Sequence, residues 1–234
     1  MINSQIYKKT KILNIILLIN LVINSSTFFT VNAEANSSAT IIMYHRFGET
    51  NYPSTNITLK QLDKHILELS NKNYTVLPVK EIISTIQRGD SLPDRTVGIT
   101  IDDGYRSVYD HAWPKFKKAN LPFTVFIATD PIDRNSANYM NWDQIRALKK
   151  DGVEIGGHTS SHNHMPTSNY KHNQSELVNS NSRMFKEIDQ IPSLFAYPFG
   201  EASTKVQKQV VDAGYRMAFG QHSGVVNSST DFNY

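Results

Sequence analysis

Seven short apolar runs, most of them rich in β-branched residues, alternate with segments of helical periodicity, and this alternation constrains the fold more than any other feature of the chain. The runs are 40–44, 75–77, 97–101, 123–128, 153–155, 194–197 and 217–219. Most lack a polar face, which predicts central strands covered on both sides. Between them, Thr58-Leu59-Lys60-Gln61 has the form of a capping box ahead of Leu62, Ile66 and Leu69, and Val79, Ile82, Ile83 and Ile86 repeat at helical spacing before Gly89. A third helix is predicted over 141–150, capped by Asn141 and burying Ile145 and Leu148, and a fourth over 203–213, closed by Gly214. Val108, Ala112 and Phe116 form an apolar stripe that Pro114 should kink or restart. The expected class is α/β in a single domain, and periodicity alone does not separate a barrel from an open doubly wound sheet.

The alternation begins only at residue 40. Before it, Lys8, Lys9 and Lys11 precede an apolar run from Ile12 that ends in Val31-Asn32-Ala33, the pattern of a secretory leader over 1–33. Asn14, Asn20 and Asn24 interrupt the run and disfavour the alternative, a retained membrane anchor. A linker over 34–39 and a domain over 40–234 follow, with no transmembrane span expected after cleavage and a secreted, periplasmic or cell-envelope location. The three leader lysines account for the whole formal charge of +3, so the remainder is neutral and predicts no nucleic-acid partner. Cysteine is absent, which excludes a disulfide framework, a thiolate metal site and a cysteine nucleophile. Any metal must be held by histidine and carboxylate.

Two strand ends carry such residues. Val97-Gly98-Ile99-Thr100-Ile101 runs into Asp102-Asp103-Gly104, and adjacent carboxylates reach one site only where the chain turns. One carboxylate can then bind a cation while its neighbour handles a proton; an ordinary Asp-Gly turn is the alternative. Val153-Glu154-Ile155 runs into Gly156-Gly157-His158-Thr159-Ser160-Ser161-His162, and histidines four apart offer two nitrogen ligands to a divalent metal, or are two solvated loop residues. Thr159 stands where a zinc protease has its glutamate, so the base must come from elsewhere, and Asp102 is the obvious supplier.

Taken together and in this order, Asp102-Asp103-Gly104 and Gly157-His158-Thr159-Ser160-Ser161-His162 resemble the first two motifs of the polysaccharide deacetylases, the carbohydrate esterase family that contains the NodB homology domain. Phe195-Ala196-Tyr197-Pro198-Phe199-Gly200 looks like that family's Pro-aromatic-Gly motif, and the resemblance spans 40–226. It implies a distorted (β/α)7-type barrel with its site at the strand ends. It further implies a divalent metal, usually Zn2+, held by Asp103, His158 and His162, although such donors also accept Co2+, Ni2+ or Fe2+. Asp102 would be the base, the Tyr105 or Phe199 backbone N–H would face the oxyanion beside Pro198, and Thr159 would steady the histidine loop. The implied reaction is hydrolysis of N-acetyl groups on an N-acetylglucosamine-containing glycan; an O-acetyl esterase of xylan type and a non-catalytic glycan-binding barrel are the alternatives.

The chain departs from the family pattern in two places. The arginine that orients the catalytic aspartate is missing near Ala196, and no late Leu-x-x-His precedes Tyr234. Arg46 or Arg106 is a candidate for the orienting role. The general acid falls to His45 or His222, of which Tyr44-His45 resembles the branch acting on poly-N-acetylglucosamine. Because the chain stops soon after its last strand, an incomplete barrel is a further expectation.

Overall fold

Every residue from Thr96 to Ile101 is buried, as a strand covered on both faces must be, and the fold is arranged around this run. The computed structural model describes residues 37–71 and 73–233; the segment expected to be a leader lies outside them. The strands are β1 (Ala39–Tyr44), β2 (Arg46–Phe47), β3 (Asn56–Ile57), β4 (Thr75–Val76), β5 (Thr96–Ile101), β6 (Thr124–Ile127), β7 (Glu154–Gly157), β8 (Leu194–Ala196) and β9 (Met217–Phe219). The helices are α1 (Leu59–Ser70), α2 (Val79–Gln87), α3 (Trp113–Lys118), α4 (Thr129–Asp133), α5 (Trp142–Lys150), α6 (Tyr170–Ile188) and α7 (Thr204–Asp212).

The seven runs foreseen as strands are the seven strands of one parallel sheet, ordered β1-β5-β6-β7-β8-β9, with β4 lying along the first half of β5. The sheet curls into a half-barrel and does not close by strand pairing: among the described residues β9 and β1 are joined only through the segment 225–233. Ala39 and Val226 exchange two backbone hydrogen bonds of 2.9 Å, antiparallel to the sheet, and the Ala218 N–H donates to the Phe232 carbonyl at 2.8 Å. Ala39, expected at the end of the linker, belongs to β1, and the Ser37 hydroxyl is tied to the Asp90 carbonyl at 2.8 Å.

Local chemistry explains the helices. Thr58 with Gln61, and Asn141 with Gln144, form the two reciprocal capping boxes that start α1 and α5. Pro114 sits in the first turn of α3, restarting the helix after a π-helical turn over Val108–Ala112. The longest helix, α6, was not foreseen: half of its buried face is Asn173, Glu176 and Ser180, so the apolar period of Leu177, Met184 and Ile188 is broken. Ile99, Ile101, Val125, Ile127 and Ile155 join Phe116, Ile145 and Leu148 in the main core. Burying each such side chain stabilises the fold by about 1.5–3 kcal/mol. Among the described residues no helix is long and apolar enough to cross a membrane.

Candidate metal centre

Parallel strands deliver all their C-terminal ends to one edge. Tyr44 lies opposite Ile101, Ile127 opposite Gly157, Gly157 opposite Phe195, and Ala196 opposite Phe219. The residues that follow these pairs, among them His45, Asp102, Asp103, His158 and Pro198, are therefore gathered from segments far apart in sequence. Glycine at the end of β7 is required by packing: a Cβ on Gly157 would lie 2.2 Å from the Tyr215 hydroxyl oxygen.

Asp103 and Gly104 both take left-handed backbone, φ 74° and 77°, so the turn that separates the two carboxylates is made by the aspartate as well as by the glycine. Asp103 Oδ1 then lies 3.2 Å from His158 Nε2 and 3.1 Å from His162 Nε2. Neither approach has hydrogen-bond geometry, and Oδ1 is buried without a donor. His158 Nδ1 lies 2.7 Å from the Ala196 carbonyl oxygen. A carbonyl only accepts, so Nδ1 carries the proton, and in the neutral form of the ring the lone pair of Nε2 faces Oδ1. Two lone pairs at that distance repel unless a cation lies between them. Donors on a tetrahedral zinc ion at ~2.0–2.1 Å are about 3.3 Å from one another, close to the two distances from Oδ1 to the imidazole nitrogens. Among the described residues this is the one group of three metal-binding side chains, its donor atoms all within 4.8 Å. The residues fit a divalent cation.

Burial alone would raise the Asp103 carboxyl, but with no cation between them, imidazoles that donate to it outweigh burial and hold the group far below the usual carboxylate range. Burial pushes Asp102 above its ordinary value against the pull of the His158 and His45 side chains. Burial, reinforced by the Asp103 charge, drives the Tyr105 phenol far up, so it stays neutral. The cleft at this edge measures about 480 Å³ and is lined by His45, Asn56, Asp103, Tyr105, His162 and Phe199 among others.

A sequence profile of the polysaccharide deacetylases matches residues 89–218, more than half of the chain. The chain belongs to the polysaccharide deacetylase family. YxkH of Bacillus subtilis is 24% identical over 197 residues, which cover 84% of this chain and 69% of that protein. The poly-β-1,6-N-acetyl-D-glucosamine N-deacetylase of Staphylococcus aureus is 24% identical over 229 residues, covering 84% of this chain and 77% of that one. Among solved structures, the Streptococcus pyogenes deacetylase PplD in complex with acetate matches with a TM-score of 0.78 at 19% identity, over 85% of this chain and 90% of that chain. IcaB from Ammonifex degensii matches with a TM-score of 0.69 at 21% identity, over 79% and 84%. These likenesses fix the fold as that of a NodB-type deacetylase.

In this member of the polysaccharide deacetylase family the remaining candidate residues stand in different places. His45 lines the metal cleft, whereas His222 lines a second cavity of about 550 Å³ at the seam between β1 and β9, which Asp102 also borders. Neither candidate arginine is engaged with Asp102 in an ion pair. Arg46 is buried, bonded to Glu49 at 2.8 Å and sandwiched between the Tyr105 and Tyr52 rings at 3.4 and 4.1 Å; Arg106 pairs with Asp110 at the surface. Thr159 Oγ1 accepts the His162 N–H at 3.0 Å. Phe199 stands in left-handed backbone (φ 59°) on the turn over Pro198–Gly200, its ring edge-on to His162 at 4.4 Å. His164, two residues past His162, stacks on the Phe199 ring at 3.8 Å and bonds Glu201 at 2.9 Å. Trp142 and Tyr139 are taken up by packing: the Trp142 indole donates to Asp133 at 2.7 Å and the Tyr139 ring lies 4.9 Å from that of Tyr105.

Proposed function

We propose that the protein removes N-acetyl groups from an N-acetylglucosamine-containing polysaccharide, releasing acetate and leaving a free amine. The observation that carries this reading is the convergence of Asp102, Asp103, His158, His162 and His45 on one strand-end edge, with Asp103, His162 and His45 lining one open cleft. Asp103, His158 and His162 would hold a divalent cation, which would supply the Lewis acidity that acidifies a water and polarises the acetamide carbonyl. Asp102 accepts the proton of the attacking water. The backbone N–H of Phe199, with that of Tyr105 as the second candidate, faces the oxygen that becomes negative as the carbonyl carbon turns tetrahedral; one such donor is worth about 10²–10³ in rate. His45 then gives a proton to the sugar nitrogen as the C–N bond breaks, so an amine rather than an amide anion departs. Tyr105 bounds the cleft as a neutral phenol.

N-acetylglucosamine as the sugar draws support from Tyr44-His45 and from the name of the staphylococcal relative. Acetate release from a panel of N-acetylated and O-acetylated glycans, with and without chelator, tests the whole reading. Release from oligomers of N-acetylglucosamine that stops on chelation is the expected result. Activity confined to acetylated xylan would make the protein an esterase, and glycan binding with metal present but no acetate released would make it a binding module.

A further inference from the structure

The loop between the two histidine ligands is under backbone strain. Thr159 and His162 both take left-handed conformations without being glycine, φ 63° and 61°. Each costs of order 1–3 kcal/mol and persists only where surrounding contacts impose it. Neutral contacts do part of this work. The Asp130 N–H donates to the Ser160 carbonyl at 2.8 Å, the Ser160 hydroxyl donates to the Glu176 carbonyl at 3.1 Å, and Thr159 Oγ1 takes the His162 N–H.

One contact differs in kind. From α6, the Glu176 side chain brings a carboxylate into the loop, where Oε2 accepts the Ser160 N–H at 3.0 Å and the Ser161 N–H at 2.7 Å. These N–H groups are consecutive, lie midway between the ligands, and meet a side chain that is only 10% exposed. Its nearest ionic neighbour among the described residues is His172, 3.9 Å away, so the carboxylate is directed at the loop and not at a lysine or arginine. Charge-assisted bonds of this length are roughly twice as strong as neutral ones.

We propose that Glu176 is a positioning residue for the metal: by gripping the Ser160 and Ser161 amides, it sets the loop shape that aims His158 and His162 at Asp103. The inference rests on the assignment of those three residues as ligands. Loss of an outer partner of a metal ligand typically weakens the metal by 10–100-fold.

The test is the affinity of the full chain for Zn2+, measured by chelator competition in wild type, E176A, E176Q and E176D, beside circular dichroism and thermal melts of the metal-free proteins. E176A is expected to bind Zn2+ 10–100-fold more weakly. E176Q, whose amide oxygen still accepts, should recover most of the affinity, and E176D, too short to reach both amides, should not. If E176A fails to fold, the contrast between E176Q and E176D decides. Unchanged affinity in folded E176A, or in E176D, would overturn the proposal and leave Glu176 a structural acid, as would E176Q binding no better than E176D. A wild type that binds no Zn2+, or a His158→Ala variant that binds as wild type does, would instead sink the ligand assignment beneath it.

Discussion

Asp103 turns its carboxylate into the centre from a left-handed backbone, while Asp102 stays at the end of the strand with its N–H on the Tyr44 carbonyl at 2.9 Å. Neighbours in sequence thus receive different surroundings: Asp103 two imidazoles on one oxygen, Asp102 a buried place within the field of His45 and His158. Asp102→Asn keeps the shape and removes the proton acceptor, so turnover should fall by about 10²–10⁴ with metal content unchanged. Acetate release together with metal analysis checks both halves; loss of metal would move Asp102 into the ligand set. The two candidate acids separate in the same assay. His45→Gln should cost a similar factor in kcat with little change in KM, whereas His222→Gln should stay within a few-fold of wild type, and the reverse order would exchange their roles.

The elements that hold the edge in place are α4, α5 and α6, and Asp133 joins all three. It closes α4, accepts the Trp142 indole N–H of α5 at 2.7 Å, and receives Arg183 of α6 through Nε at 2.8 Å and Nη2 at 2.7 Å. Arg183 continues to Glu187 at 2.9 Å, which Arg146 of α5 also reaches at 3.0 Å. Burial would raise the Asp133 carboxyl, but Arg183 and Trp142 prevail and hold it below its ordinary value. A carboxyl lowered on folding stabilises the native state above its unfolded pKa of ~3.9, and that contribution disappears as pH falls through the folded value. Asp133→Asn should therefore destabilise by about 1 kcal/mol near neutral pH, a figure already reduced for solvent screening. The difference from wild type should shrink below pH ~4. Urea midpoints at pH 7 and in acid test this, and a gap that persists in acid would contradict it.

At the scale of the molecule, the open seam is where the half-barrel depends on a segment without regular structure. Phe232 packs against two core clusters, one around Phe126 and Leu194 and the other around Ala39 and Ile82, while its carbonyl receives the Ala218 N–H. The Tyr197 hydroxyl donates to the Asn233 carbonyl next to it. Phe232→Ala should cost about 1–3 kcal/mol, less than a fully enclosed phenylalanine because the ring is only half-buried. A urea midpoint within error of wild type would show that the seam does not rely on this ring.

The alternation of apolar strands and capped helices determined the parallel sheet, because burial on both faces leaves a readable mark in composition. The three candidate ligands were legible for a related reason: Asp103 and His158 sit next to glycines at strand ends, where turns and close packing demand them, and His162 follows His158 by four residues. What the sequence left open was settled by contacts between distant segments. Glu176 belongs to a helix whose polar buried face erased its period, and its partners lie 15 and 16 residues away. His45 and His222 are both candidate acids in the linear chain, with Tyr44-His45 favouring the first, and the curl of the sheet puts one in the strand-end cleft and the other at the seam. Arg46 had the charge to orient Asp102, yet Glu49 and two tyrosine rings claim it. Local propensity fixes which segments form strands and where a ligand is able to stand; the direction in which a long polar side chain points depends on partners that tertiary packing alone brings near.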